Sequence, residues 1–121
     1  MIQEPDRIGL SLEAKGYLDE MIESLGGNLN NRDLYRLAVA NELKNGTKDV
    51  VSPYQSDGWK DRTSELDPDN SLYFSVEAFG LCNEGQSIYR CVEALGEIGT
   101  RNLFNAYQKN IGSIPWDKVL A

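Results

Sequence analysis

Few residues of this chain could do chemistry, and their spacing narrows them further. No histidine occurs among the 121 residues. That removes imidazole acid–base catalysis, Ser-His and Cys-His nucleophile pairs and every metal site built on imidazole. Two cysteines, Cys82 and Cys91, stand without companions, whereas a zinc centre takes four soft or imidazole ligands. In a chain opening MIQEPDRIG, unlike a signal peptide, the two thiols are expected to stay reduced as small buried apolar groups, a disulfide being the alternative. Glu93 and Glu97 share one helical face. A carboxylate pair serves acid–base or metal chemistry only with further acids beside it, here Glu77 or Glu84, so an exposed helix face is the simpler reading. Asp67-Pro68-Asp69-Asn70 fails as a calcium loop, because Leu72 and Ala78 stand where an EF-hand needs glycine and glutamate. It reads as a solvated acidic turn. No catalytic residue, metal or cofactor is expected, and the chain reads as non-enzymatic.

The basic and aromatic residues remain. Arg32 and Arg36, one turn apart, suit phosphate contacts, with ion pairing to Asp33, Glu42 or a neighbouring helix as the competing use. Tyr73, Phe74, Phe79, Tyr89, Phe104 and Tyr107 recur at helical spacing and read as core rather than as a base-stacking platform. With 12 Lys+Arg against 19 Asp+Glu and a net charge of -7, DNA contacts are disfavoured as a matter of bulk charge. No apolar run approaches the ~20 residues of a membrane span, so a cytoplasmic protein without membrane contact is expected.

These groups need elements to position them. Ile8, Leu10 and Leu12 alternate with Arg7, Gly9 and Ser11, the period of a short half-buried strand. Ser11 then caps a helix over Leu12–Leu25, whose Ala14, Leu18, Met21 and Leu25 fall on one face before Gly26-Gly27 ends it. Asn28 to Asn31 form a turn that caps a second helix over Arg32–Lys44, stopped by Asn45-Gly46. That helix is apolar around most of its circumference and calls for cover from more than one neighbour, which dimerisation would provide. Residues 47–70 read as an acidic connector, with Val50-Val51 a short strand and Trp59 an anchor. Beyond it, Asn70 or Ser71 caps a helix over Leu72–Phe79, broken from Gly80 to Gly85. Gly96 and Gly99 interrupt the next helical pattern, and Thr100 caps a further helix carrying Leu103, Phe104 and Tyr107. Trp116, Val119 and Leu120 form a tail that docks on the body.

The run RIGLSLEAKGYLDEMIESLGG followed by NLNNRDLYRLAVANEL resembles the ribbon-helix-helix family. In length and opening rhythm the chain is also similar to the DndE family of small accessory proteins of bacterial DNA phosphorothioation. The resemblance implies a mainly α fold: a ribbon-helix-helix dimerisation unit over 1–46, with the strand pairing across a two-fold axis, and a helical C-terminal part over 71–121 packed on it. It implies a homo-oligomer, dimer or higher, in which the outward strand residues Arg7, Gly9 and Ser11 face the DNA major groove. Asn30, Asn31 and Arg32 at the start of the second helix, with Arg36, would hold a backbone phosphate. The implied role is a non-enzymatic accessory or regulatory protein of a prokaryotic DNA-modification or defence system, working through a protein partner and weak DNA contacts. The alternative is an operator-binding repressor or antitoxin.

Overall fold

In the computed structural model, residues 4–25, 30–46, 57–80, 82 and 87–109 are described. The elements are β1 (Arg7–Leu10), α1 (Leu12–Leu25), α2 (Asn31–Asn45), β2 (Trp59–Arg62), α3 (Thr63–Leu66), α4 (Ser71–Phe79) and α5 (Ile88–Lys109). The protein is mainly helical, with one two-stranded antiparallel sheet. Among the described residues, no helix is long and apolar enough to cross a membrane.

The first helices start and stop where their capping residues dictate. Ser11 Oγ accepts the Ala14 N–H at 3.2 Å, and the Asp57 carboxylate accepts the Leu12 N–H at 2.9 Å. Asn30 caps α2 by accepting from the Asp33 N–H at 2.9 Å, and Gly46 ends it in the left-handed region at φ 70°. The inner faces of α1 (Ala14, Leu18, Met21) and α2 (Leu34, Tyr35, Ala38, Val39, Leu43) are buried.

Within the chain, α2 is covered by α5. The expected interruption at Gly96 and Gly99 and the cap at Thr100 are replaced by one continuous 22-residue helix. The two glycines are contact points with α2. A Cβ on Gly96 would lie 2.4 Å from Tyr35 Cζ, and one on Gly99 would lie 2.2 Å from the Ala38 carbonyl oxygen. Both are buried inside the helix, where the lack of a side chain makes room for the Tyr35 ring at Gly96 and lets the α2 backbone approach at Gly99.

Other turns depart from expectation for equally local reasons. Asp67 is buried rather than solvated. Its carboxylate accepts the Leu72 and Tyr73 N–H groups at 2.9 and 3.0 Å, and the Tyr89 hydroxyl at 3.0 Å. It therefore caps α4 in place of Asn70, whose backbone sits in the left-handed region at φ 60°. The start of α5 is capped from far away, by Glu4 accepting from Ser87 Oγ at 2.6 Å and from the Tyr89 N–H at 2.8 Å. Cys82 and Cys91 are joined as a disulfide with Cα atoms 5.8 Å apart, which corrects the expectation of reduced thiols. That separation lies in the ordinary range for a disulfide. Tyr89, Phe104 and Tyr107 belong to the core as expected, but Phe74 and Phe79 are exposed on α4. The proposed strand at Val50-Val51, the Gly26-Gly27 stop and the Trp116–Leu120 tail lie outside the described residues.

Candidate nucleic-acid interface

The site is built on β1, and both edges of that strand are used within the chain. One edge pairs with β2 in the register Arg7↔Arg62, Ile8↔Asp61, Gly9↔Lys60 and Leu10↔Trp59. β2 lies inside the stretch that reads as an acidic connector, which therefore contributes a strand and the short α3. The other edge meets α5. The Gly9 N–H donates to Glu93 Oε2 at 3.0 Å, and the Ser11 N–H donates to Glu97 Oε1 at 2.9 Å. Ser11 Oγ donates to Glu97 Oε2 at 2.8 Å. These carboxylates take the N–H groups that an open strand edge would present to a second copy. Pairing of β1 across a two-fold axis is thus replaced by pairing within one molecule.

Glu93 and Glu97 are 1% and 0% exposed, not the solvated helix face their spacing suggests. Arg90 Nη1 lies 2.9 Å from Glu93 Oε1, and Arg101 Nε lies 2.8 Å from Glu97 Oε2, so each carboxylate binds a guanidinium as well as the strand. Tyr35 is fully buried beside them. Burial, and then the negative charge of Glu93 and Glu97, push its hydroxyl pKa well above the usual tyrosine value. Gly9 is required where it stands, because a Cβ there would fall 1.7 Å from the Trp59 carbonyl oxygen.

The outer face of the ribbon has the opposite character. Arg7 and Arg62 face each other directly across the two strands, and Lys60 stands across from Gly9. All three are exposed, and none forms an ion pair among the described residues. Like charges directly opposite one another on a ribbon are destabilising. They border a depression of about 430 Å³ lined by Arg7, Arg32, Lys60, Asp61, Arg62 and Glu65. An adjoining hollow of about 330 Å³ is lined by Asn30, Asn31, Arg32, Trp59 and Asp61.

Arg32 and Asp61 form the seam between the two hollows. Arg32 Nε and Nη2 donate to the two Asp61 oxygens at 2.6 and 3.1 Å. This bond holds the Asp61 carboxyl below its ordinary pKa and raises that of Arg32. Arg36 is committed to structure. It donates to the Leu66 carbonyl at 2.7 Å and the Glu65 carbonyl at 3.1 Å, tying α2 to α3.

Of the residues singled out in the sequence, Arg7, Asn30, Asn31 and Arg32 line these hollows, whereas Gly9, Ser11 and Arg36 are held in internal contacts. Lys60 and Arg62 join the site only through the fold. Their signal is the alternation in Trp59-Lys60-Asp61-Arg62, too short and too charged to read as a strand without its partner. Among the described residues, no group of three or more His, Cys, Asp or Glu is placed to hold a metal ion. Comparison with known protein families, curated proteins and solved structures gives no match to this chain.

Proposed function

We propose that this chain is a non-enzymatic accessory or regulatory protein that grips a nucleic-acid phosphate backbone with Arg7, Lys60 and Arg62. One observation carries the reading: three exposed cations without ion-pair partners among the described residues share one ribbon face of a chain whose net charge is -7. Elsewhere acids outnumber bases, so this local concentration is what an anionic polymer would find. The setting in a prokaryotic DNA-modification or defence system rests on the ribbon-helix-helix and DndE resemblance of the N-terminal segment.

The operator-reading alternative is less well supported by the same geometry. Base readout from β1 would need side chains at Gly9 and Ser11, and Gly9 is buried while the Ser11 hydroxyl is bonded to Glu97. A ribbon that offers only Arg7, Lys60 and Arg62 suits phosphate contacts, which position a protein without reading sequence. Self-association, where it occurs, uses a surface other than the β1 edge.

Fluorescence anisotropy with labelled DNA at ~50 and ~200 mM salt tests the reading. Three phosphate contacts predict roughly forty-fold weaker duplex binding across that range. The combined Arg7→Ala, Lys60→Ala and Arg62→Ala variant should lose the salt-sensitive binding while its urea midpoint stays at or slightly above that of the parent, since a like-charge pair is removed. Absence of salt-sensitive binding by the parent at ~50 mM salt would end the proposal.

A further inference from the structure

We propose that the hollow formed by Trp59, Asn30, Asn31 and Arg32 seats an unpaired nucleobase, so that the strand held by the ribbon is single-stranded. The inference rests on the phosphate-gripping reading above and specifies its ligand.

The two adjoining hollows differ in chemistry. The larger one is bordered by Arg7, Lys60 and Arg62, whose charges are unpaired among the described residues. In the smaller one the only charged groups are Arg32 and Asp61, and they neutralise each other through a two-bond pairing. What remains there is an indole and two carboxamides. Trp59 is half-buried and held by a near-perpendicular contact with Tyr35, ring centroids 5.4 Å apart at 65°. Its backbone is fixed opposite Leu10 in the ribbon. The Trp59 Nε1–H and the Asn31 side-chain amide have no hydrogen-bond partner among the described residues, and Asn30 spends its carbonyl oxygen on the α2 cap, leaving its NH₂. An immobilised aromatic ring supplies stacking, and carboxamides supply both donors and acceptors for a base edge. The volume, about 330 Å³, falls in the range of small-molecule sites, about 300–1,000 Å³.

Adjacency makes the pair of hollows a unit. Arg32 and Asp61 line both, so a chain whose phosphates lie on the cations can turn one base across the seam onto Trp59. A duplex keeps its bases stacked between its strands and offers this hollow no base face. An unpaired nucleotide can reach it at no cost in base pairing.

The chain contains two tryptophans, so the Trp116→Phe variant leaves Trp59 as the sole indole. Its emission is followed while three probes are added at low salt: a short oligothymidylate, an abasic strand of the same length, and a duplex. The expected result is quenching by oligothymidylate alone, with binding about five-fold or more tighter than for either other probe. Trp59→Phe should keep most of that preference and Trp59→Ala should abolish it, with circular dichroism checking the fold. Should Trp59→Ala fail to fold, Asn31→Ala, with the indole intact, should reduce the preference for the base-bearing strand. Equal binding of the abasic and base-bearing strands with unchanged emission overturns the base seat and leaves the phosphate reading standing. Preference for the duplex also overturns the seat. No salt-sensitive binding by any probe overturns both.

Discussion

The arginines of this protein fall into two sets that the same residue type serves very differently. Arg32, Arg36, Arg90 and Arg101 each join two parts of the chain or brace a buried carboxylate. Arg90 and Arg101 back the glutamates that close the inner edge of β1, and Arg32 and Arg36 bind β2 and α3 to α2. Arg7 and Arg62, with Lys60, sit on the outer face of that ribbon without a carboxylate partner among the described residues. Inside, buried or half-buried carboxylates are matched by guanidiniums. Outside, charge is left opposed to like charge across two strands. A fold that places guanidinium–carboxylate pairs so consistently elsewhere marks the exception as the surface on which to look for function.

The inner pairs should respond most strongly to substitution. Glu97→Ala removes one buried acceptor from the Ser11 N–H, the Ser11 hydroxyl and Arg101 together. The Ser11 N–H and hydroxyl are left without their acceptor beside a part-exposed Arg101. Each unsatisfied group of this kind costs about 1–3 kcal/mol, which urea denaturation should register as a clear drop in midpoint. A loss below about 1 kcal/mol would mean that this edge is held by something other than the carboxylate.

Next in size is Gly99→Ala. In an exposed helix interior alanine gains about 1 kcal/mol over glycine, but here the new methyl meets the Ala38 carbonyl. Overpacking of this kind typically costs about 1–3 kcal/mol. Thermal melts should therefore show the opposite sign to the helix-propensity effect.

A smaller effect is expected at the seam. Asp61 has a folded-state pKa held below its ordinary 3.8 by the Arg32 hydrogen bond. Its contribution to stability is therefore complete above that value and lost as the pH falls through the lower folded value. Asp61→Asn should lower the melting temperature slightly at neutral pH and flatten the dependence below pH 3.8. An unchanged acid limb in this variant would show that other carboxylates carry it. The least effect on stability belongs to the triple replacement of Arg7, Lys60 and Arg62, whose main consequence is for binding.

Much of the first half of this architecture is legible before folding. Ser11, Asn30 and Gly46 act locally, each through its own side chain or backbone angle, and α1 spans the predicted Leu12–Leu25 while α2 extends one residue beyond each predicted end. The rest depends on distant partners. Gly96 and Gly99 look like helix breakers until Tyr35 and Ala38 are set against them. Glu93 and Glu97 resemble a solvated face until the β1 amides arrive from the other end of the sequence. The candidate site was half visible, in Arg7 and Arg32, because Lys60 and Arg62 acquire a shared face only through the β1–β2 register.

The bonds from β1 to α5 also bear on how the chain reaches this structure. Gly9 and Glu93 are separated by 84 residues, and Ser11 and Glu97 by 86. Helical proteins fold fast when their contacts are local, and here β1 is completed by contacts that span more than two-thirds of the chain. During synthesis the segment bearing β1, α1 and α2 emerges well before α5, with Gly96 and Gly99 not yet packed on it and the strand edge still open. Folding should therefore be slower than the helical content suggests. A truncation lacking α5 should expose both the edge and the apolar side of α2, the two surfaces on which nascent chains aggregate.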